Sequence, residues 1–168
     1  MTERVQARIW IGGRCRRSDS HELVLAVKDA HVSVGSPGWE HVLCRPVSID
    51  GLMEATTEGV LHLQDDAAPD GEMPLLTRTC RRLGLTYRLW HEATLEDGCC
   101  VEVWEPGMEQ PVCLRGDPCD PFTNLVESLP VRLAINHLRN GEIDAALDLL
   151  QHACPDIPEV PPLVVIED

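Results

Sequence analysis

Lysine is almost missing from this chain. Lys28 is the only one, against thirteen arginines. Nearly every cation can therefore make a planar, bidentate contact with a carboxylate or phosphate, which an ammonium group cannot. The skew points to a GC-rich bacterial genome. Aromatics are also scarce, at four Trp, one Tyr and one Phe, so a core has to rest on Leu, Val, Ile and Ala. No apolar run approaches the roughly 18 residues that span a bilayer. Glu3, Arg4 and Arg8 interrupt the start of the chain, which leaves no signal-peptide apolar stretch. The expectation is a cytoplasmic protein with no membrane partner, whose eight Cys are thiols and not a disulfide framework.

Catalytic signatures are missing as well. There is no Gly-x-Ser-x-Gly, no His-Glu-x-x-His, no Walker phosphate loop, no dinucleotide fingerprint and no zinc-deaminase pattern. No Cys-x-x-Cys pair exists either. Cys99 and Cys100 are adjacent on an expected strand and must point to opposite faces, so they do not easily share a metal. His41 and Cys44 have usable spacing but lack a second pair, and Cys113 and Cys119 stand six apart. The expectation is no metal and no cofactor, with a zinc-stabilised adaptor as the third-ranked reading. Cys80 lies on an expected helix beside Arg78, Arg81 and Arg82, cations that would lower a thiol pKa. No family signature surrounds it. These absences point away from an enzyme.

The residues that are present suggest an α+β chain. Val5 to Ile11 alternates as a strand, and Gly12-Gly13 ends it. A helix follows over 21–29, then a short strand at 32–34. Residues 39–58 have poor periodicity. A strand runs from Val60 to Gln64 and ends at Asp65-Asp66. Pro74 opens a helix that Gly84 closes. Leu85 to Glu92 and Cys99 to Trp104 form a hairpin around Asp97-Gly98, and 110–114 supplies an edge strand. Helices follow over 125–138, with Pro130 marking a kink or the true start, and over 142–153. The order implies a mixed or antiparallel sheet of four to five strands with two helices on one face, followed by a C-terminal helical hairpin. The expected division is a sheet domain over 1–122, the helical pair over 123–154 packed on it, and an extended, Pro-rich acidic tail over 155–168.

The net charge is −14, and it is unevenly placed. Residues 1–84 hold 12 acids and 10 bases, a net of −2, whereas residues 85–168 hold 16 acids and 4 bases, a net of −12. Acidity alone serves solubility. Its segregation suggests more: carboxylates spread over one surface resemble a phosphate backbone and steer association with a basic protein. In size and charge alone, the chain is similar to the acidic inhibitors that mobile elements use against restriction or CRISPR defences.

Alternation on the hairpin sharpens this reading. With Val101 and Val103 in the core beside Tyr87 and Leu89, Trp90 and Trp104 would share the outer face with Arg88, Glu92 and Glu102. Aromatics ringed by charge make a hot-spot surface. The partner-binding residues expected from this are Arg88, Trp90, Glu92, Glu96, Asp97, Glu102, Trp104, Glu105 and Glu109. Burial of that face under the C-terminal helices is the competing structural explanation. The expected function is non-enzymatic: the second half binds a basic, nucleic-acid-handling protein as a nucleic-acid mimic or defence-system inhibitor, without touching nucleic acid itself. The alternative is a small anion- or phosphate-binding enzyme or regulator. It would use Arg14, Arg16 and Arg17 in a loop after Gly12-Gly13, at a helix start, with Cys80 or His62 nearby. The same Arg-rich loop and the acidic half would also permit self-association.

Overall fold

The first strand, β1 (Arg4–Arg16), organises the molecule. The computed structural model describes residues 2–34, 42–43, 46, 48–94, 98–116, 128–153 and 159–168. After β1 come α1 (Ser20–Asp29), β2 (Ser33–Val34), β3 (Val42–Leu43), α2 (Ile49–Glu54), β4 (Thr56–Thr57) and β5 (Val60–Pro69). Then follow α3 (Pro74–Leu83), β6 (Thr86–His91), β7 (Cys100–Trp104), β8 (Val112–Arg115), α4 (Ser128–Arg139), α5 (Ile143–Ala153) and β9 (Leu163–Ile166). Strands pair antiparallel in the order β3-β2-β5-β1-β6-β7-β8, with β4 also on β5. The last strand, β9, runs parallel to the end of β1.

The class is the α+β one expected, but the sheet is larger: eight antiparallel strands replace the four or five foreseen. Two expected strand ends are not ends. Gly12-Gly13 does not stop β1, which continues to Arg16 because β9 pairs with residues 13–16. Asp65-Asp66 does not stop β5. There the register against β1 slips between Val5 and Ala7, and the side chains hold the irregularity. The Ala67 N–H donates to Asp65 Oδ1 at 2.9 Å, and Gln6 Nε2 donates to Asp66 Oδ1 at 3.1 Å. A bulge supported in this way bends a strand without ending it.

Three helices cover one face of the sheet, one more than expected. α1 contributes Leu23, Ala26 and Val27, α2 adds Ile49 and Leu52, and α3 adds Leu76 and Cys80. They pack over Ala7, Ile9, Ile11, Leu61, Leu63, Tyr87 and Leu89. α3 shows how local signals set an element. Pro74 occupies the first turn, where no amide hydrogen is needed, and Gly84 at φ 67° supplies the left-handed cap. Arg82 Nη2 reaches Glu22 Oε2 at 2.6 Å and ties α3 to α1.

The opposite face carries a smaller cluster of Trp10, Trp90, Cys99, Val101 and Val103. α4 and α5 pack chiefly on each other through Ala134 and Ala146, both buried. No helix is long and apolar enough to cross a membrane among the described residues.

Candidate functional site

The hairpin register corrects the expected tryptophan surface. Trp90 pairs with Val101, and Tyr87 pairs with Trp104. Partners directly across a ladder share a face. Trp90 therefore lies with Val101 and Val103 on the smaller cluster, while Trp104 lies with Tyr87 and Leu89 under the helices. The two tryptophans are on opposite faces, and both are buried. Within each strand the alternation is as expected. Alternation does not fix which face of β7 meets which face of β6, and a shift of one residue inverts that match.

Glu102 follows Trp104 to the helix-covered side, where it accepts a 2.5 Å hydrogen bond from the Tyr87 hydroxyl. Burial, then this bond, raise the Tyr87 pKa. Trp104 stacks near Tyr87, with ring centroids 6.3 Å apart, and its Nε1 donates to the Met108 carbonyl at 3.2 Å. On the other face Trp10 stacks on His62 at 4.6 Å, and the Arg8 guanidinium sits over Trp90 at 5.5 Å. Arg88 lies beside these groups, paired across the ladder with Trp10. Glu92 is exposed and accepts from the Gln6 N–H at 3.3 Å. Glu109 is exposed and Glu105 partly so, in the turn that follows β7. Glu96 and Asp97 lie outside the described residues.

Carboxylates do converge elsewhere. A cleft of about 970 Å³ opens at the end of the sheet where β1 begins, β5 and β6 finish and β7 starts. Glu3, Asp70, Glu72 and Glu102 line it, together with His91, Arg115, Cys100 and Cys113. The turn after β5 builds its floor. Asp70 takes φ 51° and Gly71 φ 74°. Asp70 Oδ1 accepts the Glu3 N–H at 2.7 Å, and the Asp70 N–H returns a bond to the Glu3 carbonyl at 2.7 Å. Gly71 is required there, because a Cβ would come within 2.4 Å of the His91 ring. Of these carboxylates the sequence singles out Glu102 alone; residues 3, 70 and 72 join it only through strand pairing.

The thiols Cys100 and Cys113 in this cleft both have raised pKa values. Burial first, then the neighbouring Cys113, pushes the Cys100 pKa up to about 12. Burial and Glu102 raise Cys113. A thiol at that value is less ionised at pH 8 than a free one by roughly a thousandfold. Iodoacetamide labelling of native protein, read by mass spectrometry, is expected to modify exposed Cys113 well before Cys100. Cys80 and Cys99, both buried, are expected to label only on unfolding. Equal rates at all four sites would contradict this.

Cys80 also departs from expectation. The arginines beside it in sequence do not lower its pKa; full burial, then Cys15, raise it. Only part of the expected Arg-rich loop is a loop: of its three arginines, Arg17 alone lies in the turn after β1. Arg14 and Arg16 are strand residues on β1, and α1 starts only at Ser20. Arg17 is held by carboxylates, Glu167 at 2.9 Å and Asp50 at 3.8 Å. Among the described residues, no three His, Cys, Asp or Glu side chains gather as a metal site; His41, Cys44 and Cys119 lie outside them. No protein-family model matches the chain, and no curated protein or solved structure matches it.

Proposed function

We propose that the chain is a non-enzymatic, acidic interaction protein that binds a basic protein partner, in the manner of a nucleic-acid mimic or defence-system inhibitor. The partner's Arg and Lys side chains enter the cleft at the end of the sheet. One observation supports this above all: four carboxylates from three separate stretches of the chain line a single cleft, where Arg115 is the one guanidinium among the described residues. Concave walls of one sign focus the field and raise the local concentration of a cationic partner. The excess charge of the second half then acts at longer range, as steering.

An oligo-arginine peptide is a sufficient probe. Glu3→Gln with Glu72→Gln is expected to weaken its binding about tenfold and to flatten the salt dependence. Glu105→Gln with Glu109→Gln, in the turn after β7, is expected to change affinity by less than about twofold. If the first pair leaves affinity and salt slope unchanged, or the second pair alone weakens binding, the cleft is not the site.

A further inference from the structure

In the α4–α5 hairpin two alanines are buried while several large apolar side chains are exposed. Ala134 and Ala146 form the seam between the helices. Ile135 is 42% exposed, Leu138 50%, Ile143 60% and Leu147 50%. At 3.6 residues per turn, Val131, Ile135 and Leu138 form one stripe on α4, next to Ala134. Ile143, Leu147 and Leu150 form the matching stripe on α5, next to Ala146. The two helices are antiparallel neighbours, so their residue order winds in opposite senses when viewed from one end. Both stripes follow their seam alanine in the same rotational direction, and they therefore emerge on the same side. The hairpin thus presents one continuous apolar face of six side chains, of which Ile135, Leu138, Ile143 and Leu147 are exposed and Val131 and Leu150 are half-buried.

Charge frames this face asymmetrically. Beyond the α4 stripe stand Arg132 and Arg139, and α4 carries no acid. Beyond the α5 stripe stand Asp144 and Asp148, and α5 carries no Lys or Arg. One edge of the face is basic and the other acidic. A surface of this kind is complementary to itself. A two-fold axis parallel to the helices places α4 of one copy over α5 of the other, antiparallel, and repeats the contact by symmetry. The basic edge of each copy then meets the acidic edge of its mate. Arg139 faces the acidic first turn of α5, and Arg132 faces its later turns. The alternative two-fold, perpendicular to the helices, would put arginines over arginines.

We infer that this face joins two copies of the chain as a four-helix bundle, through a surface separate from the acidic cleft. Sedimentation velocity over a range from low micromolar to several hundred micromolar tests it. A concentration-dependent monomer–dimer equilibrium is expected. Leu147→Asp is expected to weaken the dimer at least about thirtyfold. Leu147 is half-exposed in the single chain, so far-ultraviolet circular dichroism should show its helices intact. Arg132→Glu with Arg139→Glu should weaken the dimer, and adding Asp144→Arg with Asp148→Arg should restore it. A chain that stays monomeric throughout, a dimer indifferent to Leu147→Asp, or a failed charge-swap rescue would each overturn the inference.

Discussion

Replacing Gly12 by Ala is expected to release the C-terminal strand and lower the unfolding free energy by about 3 kcal/mol. A Cβ at this position would stand 1.7 Å from the Pro161 carbonyl oxygen and 2.9 Å from its carbon. Those atoms are backbone and cannot turn aside, so the strand itself has to move. With it go the pairing of Leu163–Ile166 to β1, the Gly13 N–H bond to Pro162 at 3.2 Å and the Leu163 N–H bond to Gly59 at 2.7 Å. Leu163, buried in the main core, would lose its place, and burial of such a side chain is worth about 1.5–3 kcal/mol. Regained chain entropy offsets part of the loss of hydrogen bonds. Urea midpoints would measure the cost, and carboxypeptidase digestion would report the freed terminus. Gly84→Ala is the contrast. Nothing lies within 4 Å of a Cβ there, so only the left-handed backbone is strained, at about 1 kcal/mol. Equal effects at the two glycines would contradict the placement of β9.

The second large effect is loss of stability in alkali, to which the thiols Cys80 and Cys100, whose pKa values burial raises, both contribute. The Cys80 thiol is enclosed between α3 and the sheet, next to Cys15, and burial raises its pKa. In the unfolded chain it ionises from about pH 8.5. Above that value the unfolded state binds fewer protons than the native state, so stability falls as pH rises. The slope for one such group is about 1.4 kcal/mol per pH unit. Between pH 8.5 and 10.5, Cys80 alone is expected to cost about 2–3 kcal/mol. Tyr87, raised by burial and by Glu102, adds to the decline from about pH 10. Cys80→Ala should be less stable than the natural chain at pH 7 by about 1–2 kcal/mol, because a cavity remains. Its stability should then fall less steeply with pH, so that the two curves converge. Parallel curves of urea stability against pH would exclude Cys80 as a titrating group.

The elements with local signals were legible in the sequence. α3 announces itself by Pro74 and Gly84, and α5 by the spacing of Ile143, Leu147 and Leu150. The strands of the tryptophan hairpin lie within a residue of where alternation puts them. What failed was relational. The segment between β6 and β7 is too long to fix a register, so the sequence could not say whether Trp90 opposes Val101 or its neighbour. That one ambiguity decided whether two tryptophans shared a surface. β9 had a signal, the apolar run Leu163-Val164-Val165-Ile166, but the prolines before it suggested an unpaired tail. The Asp65-Asp66 pair looked like a strand end because only the finished ladder shows that these carboxylates cap a bulge. The acidic excess was visible as a property of one half of the chain. Its convergence with Glu3, Asp70 and Glu72 was not, since strand pairing alone brings those residues to Glu102.

The acidic cleft as the docking point for a cationic partner is tested most directly by amide chemical-shift mapping during titration with an oligo-arginine peptide. The largest shifts are expected at Glu3, Gly71, Glu72, Gly98, Cys100 and Arg115, and are expected to shrink as salt screens the attraction. Shifts scattered over all acidic surfaces, or concentrated on α5 and the turn after β7 with the cleft silent, would contradict it.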